Sequence, residues 1–195
     1  MSFRALLSLP AALFFASSAH AGIPDPRYCV VDTCLVVAPA GNFAYPVIVK
    51  DESLAPVADV IVVLDFGTAP GMALCSSSDP DGDRRVIAMT DASGLATFLV
   101  RGGGQSTGYV VVSANGQTIL IAYPRSTDLN GDLAITTADV TLHDALPPNS
   151  RAGNYDCDAD ADAADRTLIS SELGQDCNTV PVLGLTWGAV KATYR

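Results

Sequence analysis

Two runs in the carboxyl-terminal third of the chain place oxygen-bearing side chains at nearly every second position. The first run extends from Asp128 to Asp139 and the second from Asn154 to Asp165, so the two are offset by 26 residues. A twelve-residue loop with oxygen donors at positions 1, 3, 5, 7, 9 and 12 can surround a hard cation with the roughly six to eight oxygen ligands that calcium takes. The spacing therefore predicts two calcium sites built from an internal repeat.

The first run fills every ligand position of such a loop. Position 7 would contribute a backbone carbonyl, and position 9 a hydroxyl that binds directly or through water. Ile135 at position 8 can pack beneath the loop, and the residues that follow predict a helix that Asp139 opens. The predicted apolar stripe of that helix is Val140, Leu142, Ala145 and Leu146. The predicted ligands are Asp128, Asn130, Asp132, the carbonyl of Ala134, Thr136 and Asp139.

The second run allows two registers. A loop that starts at Asn154 ends on Asp165, whereas a start at Asp156 would put Thr167 at position 12, so the first register is preferred. A competing interpretation is a solvated acidic loop without metal. Without a cation the carboxylates repel one another, so divalent metal should order the segment. The predicted ligands are Asn154, Asp156, Asp158, the carbonyl of Asp160, Asp162 and Asp165, followed by a helix with Leu168, Ile169 and Leu173.

Two loops that are each closed by Asp and followed by a helix resemble the duplicated calcium-binding module called dockerin, over residues 128–177. The resemblance implies two calcium ions and an extracellular partner, either a cohesin-like or another surface protein. Leu133 and Ala159 depart from the pattern at position 6, where the turn favours glycine. Positions 10 and 11, which help cellulosomal dockerins select a cohesin, hold Thr137-Ala138 and Ala163-Ala164. Cohesin recognition therefore does not follow from the resemblance.

Residues from about 28 to 123 alternate between short apolar segments and turns rich in Gly, Asp and Pro. Seven such segments predict a mainly β fold, an antiparallel sandwich whose register stays open. The segments 56–66 and 86–104 resemble bacterial immunoglobulin-like domains of the invasin and adhesin type, with a T-D-x-x-G-x-A-x-F hairpin from Thr90 to Phe98. That resemblance implies a spacer or presentation platform. The predicted strands are Cys34–Ala38, Tyr45–Val49, Val57–Phe66, Arg85–Met89, Leu95–Arg101, Tyr109–Ser113 and Thr118–Ala122.

The first 21 residues have the layout of a secretory signal peptide, with Arg4 before an apolar run and small residues at Ala19 and Ala21. We expect cleavage after Ala21 and a secreted protein without a membrane span, because the run is shorter than about 18 residues. The mature chain has 10 basic and 21 acidic residues, a net charge of −11, which argues against a nucleic-acid partner. The predicted divisions are signal peptide 1–21, sandwich 22–124, calcium module 125–177 and tail 178–195.

All five cysteines follow the predicted leader, and export favours disulfides over metal thiolates. A bond between Cys157 and Cys177 would clip the second helix to its loop. Pairing among the other three stays open: Cys29 with Cys34 is the local choice, while Cys75 with either would tie the N-terminal segment to the sandwich. One cysteine must stay unpaired or bond another chain.

The tail from Leu185 onward has Trp187, Val190 and Tyr194 on one helical face. This pattern predicts either a helix that packs on its own domain or a docking peptide for a partner or a neighbouring subunit.

Catalysis finds little support in the residue inventory. His143 is the only histidine of the mature chain, and no nucleophile, zinc or phosphate-loop motif occurs. The acidic residues that could form a glycosidase pair all fall in predicted turns, which cannot bury and tune them. They are Asp51, Glu52, Asp79, Asp81 and Asp83.

We therefore expect a non-catalytic calcium-binding protein for adhesion or assembly outside the cell. The alternatives are a self-assembling subunit of an extracellular filament or lattice, whose partners are copies of itself, and an accessory component of a polysaccharide-degrading complex.

Overall fold

The computed structural model describes residues 22–158 and 160–179. The predictions for the signal peptide, for Ala159 and for the tail beyond Thr179 lie outside the described residues. Within them the protein is mainly β, with ten strands, two α-helices and one turn of 3-10 helix at Arg151–Gly153. The strands are β1 Val30–Val31, β2 Cys34–Val37, β3 Ala44–Ile48, β4 Ile61–Asp65, β5 Ala73–Leu74, β6 Arg85–Met89, β7 Leu95–Leu99, β8 Gly102–Gly103, β9 Val110–Ala114 and β10 Gln117–Ser126, and the helices are α1 Thr137–Asp144 and α2 Ala163–Ser171.

All seven predicted strands are present; the ends of β6 are as predicted and those of the others are shifted. The largest shifts are of four residues: β10 extends to Ser126 instead of Ala122, and β4 begins at Ile61 instead of Val57. In β4 the cause is Asp59, whose left-handed backbone with φ of 57° interrupts an extended strand. The unpredicted strands β1, β5 and β8 have two residues each, which is too short for a periodic pattern.

The strands form a three-stranded sheet ordered β1-β3-β7, a five-stranded sheet ordered β2-β10-β9-β4-β6, and a pair β5-β8. The prediction of a purely antiparallel arrangement is wrong at one place, because β2 pairs in parallel with β10 from Cys34 opposite Tyr123 to Val37 opposite Ser126. These two strands are far apart in sequence, so no hairpin turn forces them to run in opposite directions.

The two larger sheets share one hydrophobic core. In β7, Ala96 and Phe98 are buried while Thr97 points to solvent, which settles the register that the sequence left open. Inward-facing residues of β4 and β9, such as Leu64 and Val112, meet them from the other sheet.

Strand β2 is buried on both faces, and this joins the helical region to the sheets. Leu35 and Val37 belong to the main core, whereas Cys34 and Val36 belong to a second core. That second core also contains Leu129, Ile135, Tyr155 and Ile169 from the loops and α2. No helix of the described ranges is long and apolar enough to cross a membrane.

The predicted apolar stripes face inward only in part. Val140 and Leu146 pack against the second core, as does Leu168 of α2, and Ile169 is buried in it. Leu142 on α1 is exposed, and Leu173 is exposed and lies beyond the end of α2. Asp139 and His143 are the buried residues of α1, while Asp165 and Ile169 are those of α2. The two predicted closing ligands therefore share the inward faces of the helices with these apolar residues.

Two disulfides connect the β region to the helical region. Cys34 bonds Cys157 and Cys75 bonds Cys177, so the predicted Cys157–Cys177 bond is wrong, as is every pairing considered among the three N-terminal cysteines. The reason is topological: β2 and the segment after β5 face the helical region, which brings each of its cysteines next to a sheet cysteine. Cys29 is the unpaired one.

Candidate metal-binding loops

Asp139 closes the first loop, which runs from the end of β10 into α1. Its carboxylate is fully buried, and Oδ1 accepts hydrogen bonds from the backbone N–H groups of Leu129 at 2.9 Å and Asn130 at 3.1 Å. Oδ2 accepts from the backbone N–H of Thr136 at 2.9 Å, and Thr136 caps α1 in return. The last predicted ligand therefore holds both the start and the end of the loop.

Asp128 opens the same loop and is also fully buried. Its two oxygens accept hydrogen bonds from the N–H groups of Gly131 and Leu133, each at 2.8 Å. Burial raises the pKa of Asp128 to about 6 against the effect of these hydrogen bonds, and the nearby carboxylates of Asp139 and Asp132 add to the rise. None of the salt bridges among the described residues involves Asp128. The loop thus contains desolvated negative charge without a cationic side chain.

The middle of the first loop is held by side-chain contacts between its predicted ligands. Asn130 and Asp132 are linked in both directions, from Asn130 Nδ2 to Asp132 Oδ2 and from the N–H of Asp132 to Asn130 Oδ1, each at 2.9 Å. Asp132 Oδ1 accepts the N–H of Ala134 at 3.0 Å. Leu133 at position 6 has a φ of 66°, the left-handed conformation for which glycine was expected.

The second loop repeats the frame of the first. Asp165 is fully buried and accepts hydrogen bonds from the N–H groups of Tyr155, Asp156 at 3.1 Å and Asp162 at 2.9 Å. Asp162 caps α2 as Thr136 caps α1, and both cap residues occupy position 9. The equivalent roles at a spacing of 26 residues agree with the register that begins at Asn154.

Asn154, at position 1 of the second loop, has an oxygen without a partner. Its side chain is 4% exposed, its Nδ2 donates to the carbonyl of Asp158 at 3.1 Å, and its Oδ1 is buried with no hydrogen bond from any described residue. An unsatisfied buried polar atom costs about 1–3 kcal/mol. This orphaned oxygen is the one that the sequence assigns as the first ligand of the site.

The remaining carboxylates of the second loop lie at its surface. Asp156 Oδ1 accepts the N–H of Asp158 at 3.2 Å, and Asp158 Oδ1 accepts that of Asp160 at 3.0 Å. In residues 22–158 and 160–179, no three His, Cys, Asp or Glu side chains form a group that could hold a metal ion. These predicted ligands thus accept hydrogen bonds from backbone N–H groups of their own loop, and among the described residues no three of the acidic side chains meet at one point. All of the predicted ligand atoms are oxygens, which suit a hard cation.

The two loops are bound to each other's helices in a reciprocal way. The N–H of Ile135, at position 8 of the first loop, donates to the carbonyl of Gln175 after α2 at 2.8 Å. The N–H of Ala161, at position 8 of the second loop, donates to the carbonyl of Pro148 after α1 at 2.6 Å. Each loop is therefore tied to the segment that follows the other loop's helix.

Residues that the sequence did not single out anchor the first loop to the sheets. The N–H of Gly104 donates to the carbonyl of Asp128 at 2.7 Å, and a Cβ on Gly103 would lie 1.8 Å from Asp128 Oδ2. A Cβ on Gly131 would lie 3.3 Å from the Cα of Gly104. Three consecutive glycines at 102–104 were the available signal in the sequence, because residues without a Cβ allow another segment to approach closely.

Comparison with protein-family models, with curated proteins and with solved structures finds no match to this chain. The functional assignment therefore depends on the geometry of the two loops.

Proposed function

We propose that this is a secreted, non-catalytic calcium-binding protein whose two loops bind one calcium ion each and which serves attachment or assembly outside the cell. The observation that supports this most directly is the buried, unpartnered Oδ1 of Asn154 at the first ligand position of the second loop. A cation would give that oxygen the partner it lacks, and the buried carboxylate of Asp165 would balance the charge.

Calcium is the cation that the donor set favours. The predicted ligands are carboxylates, amide oxygens, a hydroxyl and backbone carbonyls, whereas zinc is usually held by Cys and His. Magnesium demands a near-ideal octahedron and keeps several waters, which a twelve-residue wrapping loop does not offer. The residues that would hold the ions are those predicted from the sequence, from Asp128 to Asp139 and from Asn154 to Asp165.

We assign the two parts of the chain to an immunoglobulin-like sandwich and a dockerin-like module. For the first, the support is the division of eight strands into two sheets around one core, with β10, β9 and β4 adjacent in one sheet and β3 beside β7 in the other. For the second, the support is the 26-residue repeat of capped, Asp-closed loops with reciprocal hydrogen bonds. Two disulfides are compatible with an oxidising compartment outside the cytoplasm.

Calorimetric calcium titration of the mature chain, residues 22–195, tests the metal assignment. We expect two sites, and we expect Asp139→Ala and Asp165→Ala each to remove one of them. Asp144→Ala is the matched control, because Asp144 lies on α1, is exposed and pairs with Arg166 at 2.8 Å outside the loops. Absence of saturable binding by the unaltered chain, or an equal loss in the control, would refute the assignment.

Attachment is tested by the dependence of partner capture on calcium. We expect the immobilised mature chain to retain an extracellular protein in calcium and to release it on chelation, since the ions order the surface between the two helices. The Asp139→Ala variant should not retain this partner in calcium, whereas the Asp144→Ala variant should retain it. Equal retention with and without chelator would contradict a calcium-dependent partner.

A second candidate, self-assembly, is favoured by an exposed apolar patch on the five-stranded sheet. Ile87 and Met89 on the edge strand β6 are 62% and 60% exposed, and Ile61 beside Met89 is 48% exposed. An unprotected edge strand with an apolar face is a template for pairing with another copy. Sedimentation at increasing protein concentration should show dimers or larger species that Ile87→Lys abolishes, whereas monomers throughout would exclude this candidate.

A further inference from the structure

Two arginines line one small cavity on the acidic protein. Arg125 extends from β10 and Arg151 from the 3-10 helix, and the cavity of about 190 Å³ lies between that helix and the turn 104–107. Neither arginine forms a salt bridge with any described residue. With 21 acidic side chains available on the mature chain, two unpaired cations at one place need a physical explanation.

Arg125 is half-buried and only partly satisfied. Its Nη1 donates to the carbonyl of Asn154 at 2.5 Å, but its Nε is buried without a hydrogen-bond partner among the described residues. The carboxylates of Asp32, Asp156 and Asp165 attract it through space without reaching salt-bridge distance. The Nε N–H is enclosed by protein, so a ligand in the cavity would meet Arg125 through the remaining N–H groups of its guanidinium.

Arg151 is held in place beside it by stacking. Its guanidinium lies over the ring of Tyr123, 4.2 Å from the ring centre, and forms no hydrogen bond within the part of the chain that the structure describes. Stacking orders the planar group while leaving its edge N–H groups available to a ligand. The two guanidinium groups repel each other, and an anion between them would reverse that repulsion.

The rest of the cavity wall offers neutral polar groups and no carboxylate. Ser106, Thr107 and Ser126 provide hydroxyl groups, and no acidic residue lines the cavity. Such a wall admits an anion, whereas the acidic loops on the other side of Arg125 would repel one.

We infer that this cavity is a binding site for a small oxyanion, a sulfate or carboxylate group, held between the guanidinium groups of Arg125 and Arg151. Planar guanidinium groups bind such oxygens in pairs through charge-assisted hydrogen bonds. The group could belong to a free ion or to an acidic sugar chain outside the cell.

Backbone amide NMR of the mature chain titrated with sodium sulfate tests the site, with sodium chloride adjusted to keep the ionic strength constant. We expect saturable shifts at residues 104–107, 125–126 and 151–152 in the millimolar range. Arg151→Gln should weaken binding about tenfold, because a charged hydrogen-bonding partner is lost. Arg85→Gln is the matched control, since Arg85 is an exposed arginine on β6 that pairs with Asp65, and it should bind as the unaltered chain does.

A sulfated oligosaccharide and sodium glucuronate, titrated in the same way, distinguish the sources. Tighter binding of the oligosaccharide than of free sulfate indicates a glycan-borne group, and equal binding indicates a free ion. Arg125→Lys should also weaken sulfate binding, because it keeps the charge but removes the planar fork of guanidinium N–H groups. Unchanged resonances of distant residues in this variant would show that the fold is intact. No saturable shift with any of the three probes, or equal weakening in Arg85→Gln, overturns the inference.

Discussion

The two acidic loops share a frame but are attached to the sheets by different means. Each is closed by a buried aspartate, capped at position 9 and turned through a left-handed residue at position 4, where φ is 77° at Gly131 and 67° at Cys157. Gly131 packs closely against Gly104, whereas Cys157 is bonded to Cys34 of β2. The same position thus serves as a close-packing point in one loop and as a covalent anchor in the other.

This difference indicates that the two loops depend on different contacts for their conformation. A left-handed conformation costs a non-glycine residue about 1–2 kcal/mol, and in the second loop the disulfide offsets that cost. The first loop has no covalent anchor and depends on the absence of side chains at residues 103 and 104. The conformation of the second loop should therefore depend on the disulfide being oxidised, and that of the first should depend on close packing against Gly103 and Gly104.

The double substitution of Cys34→Ser with Cys157→Ser should have the largest effect. The bond spans 123 residues, and its removal should lower the free energy of unfolding by about 5 kcal/mol in the chain-entropy model. Urea denaturation should show this loss, and calcium titration should show the second site weakened more than the first. Cys29→Ser is the control, because Cys29 is unpaired and should change neither quantity. Equal weakening of both sites would contradict separate anchoring.

Gly103→Ala should impair the first loop and leave the second intact. Its new Cβ would lie 1.8 Å from Asp128 Oδ2, so the first loop must move away, at a cost of about 2–3 kcal/mol. Calcium titration should then lose the first site while the second keeps its affinity. Gly67→Ala is the matched control, because its Cβ would meet only the movable end of the Asp65 side chain. Loss of the second site in Gly103→Ala would show that the loops are not independent.

The sequence was sufficient for features that depend on local pattern. Apolar segments between turns predicted seven strands, and donor spacing with the change to helical periodicity predicted two loops and two helices. Each of these depends on residues that are near one another in the chain.

Features that depend on distant parts of the chain were not predictable. The parallel pairing of β2 with β10 and both disulfides follow from how β2 lies between two cores, and no local pattern encodes that position. Leu142 and Leu173 were predicted to face inward and are exposed. The inward faces of the helices also carry the buried Asp139 and Asp165, which the apolar pattern alone does not show. The packing of Gly103 against Asp128 likewise joins residues from different parts of the chain.

Position 1 differs between the loops, because the first loop has Asp128 there and the second has Asn154, which Asn154→Asp would make alike. The added carboxylate should raise the calcium affinity of the second site about tenfold, because ligand charge tunes affinity. The calcium-free protein should become less stable, since the new charge is buried beside Asp165. Calorimetry and melting with and without calcium measure both effects. Asn130→Asp, at an exposed position of the first loop, should destabilise the calcium-free protein less.

The smallest change in stability is expected at position 2, where both loops bury a large side chain, Leu129 in the first and Tyr155 in the second. The hydroxyl of Tyr155 is buried and has no hydrogen-bond partner among the described residues, so Tyr155→Phe should leave stability unchanged or raise it by up to about 1 kcal/mol. Tyr45→Phe is the matched control: the Tyr45 hydroxyl donates to the carbonyl of Asp32, and its loss should destabilise by about 1 kcal/mol. Urea denaturation of both variants makes the comparison. If Tyr155→Phe were as destabilising as Tyr45→Phe, the Tyr155 hydroxyl would have a hydrogen-bond partner. Position 2 would then contribute a side-chain hydrogen bond in the second loop, whereas Leu129 contributes only apolar packing in the first.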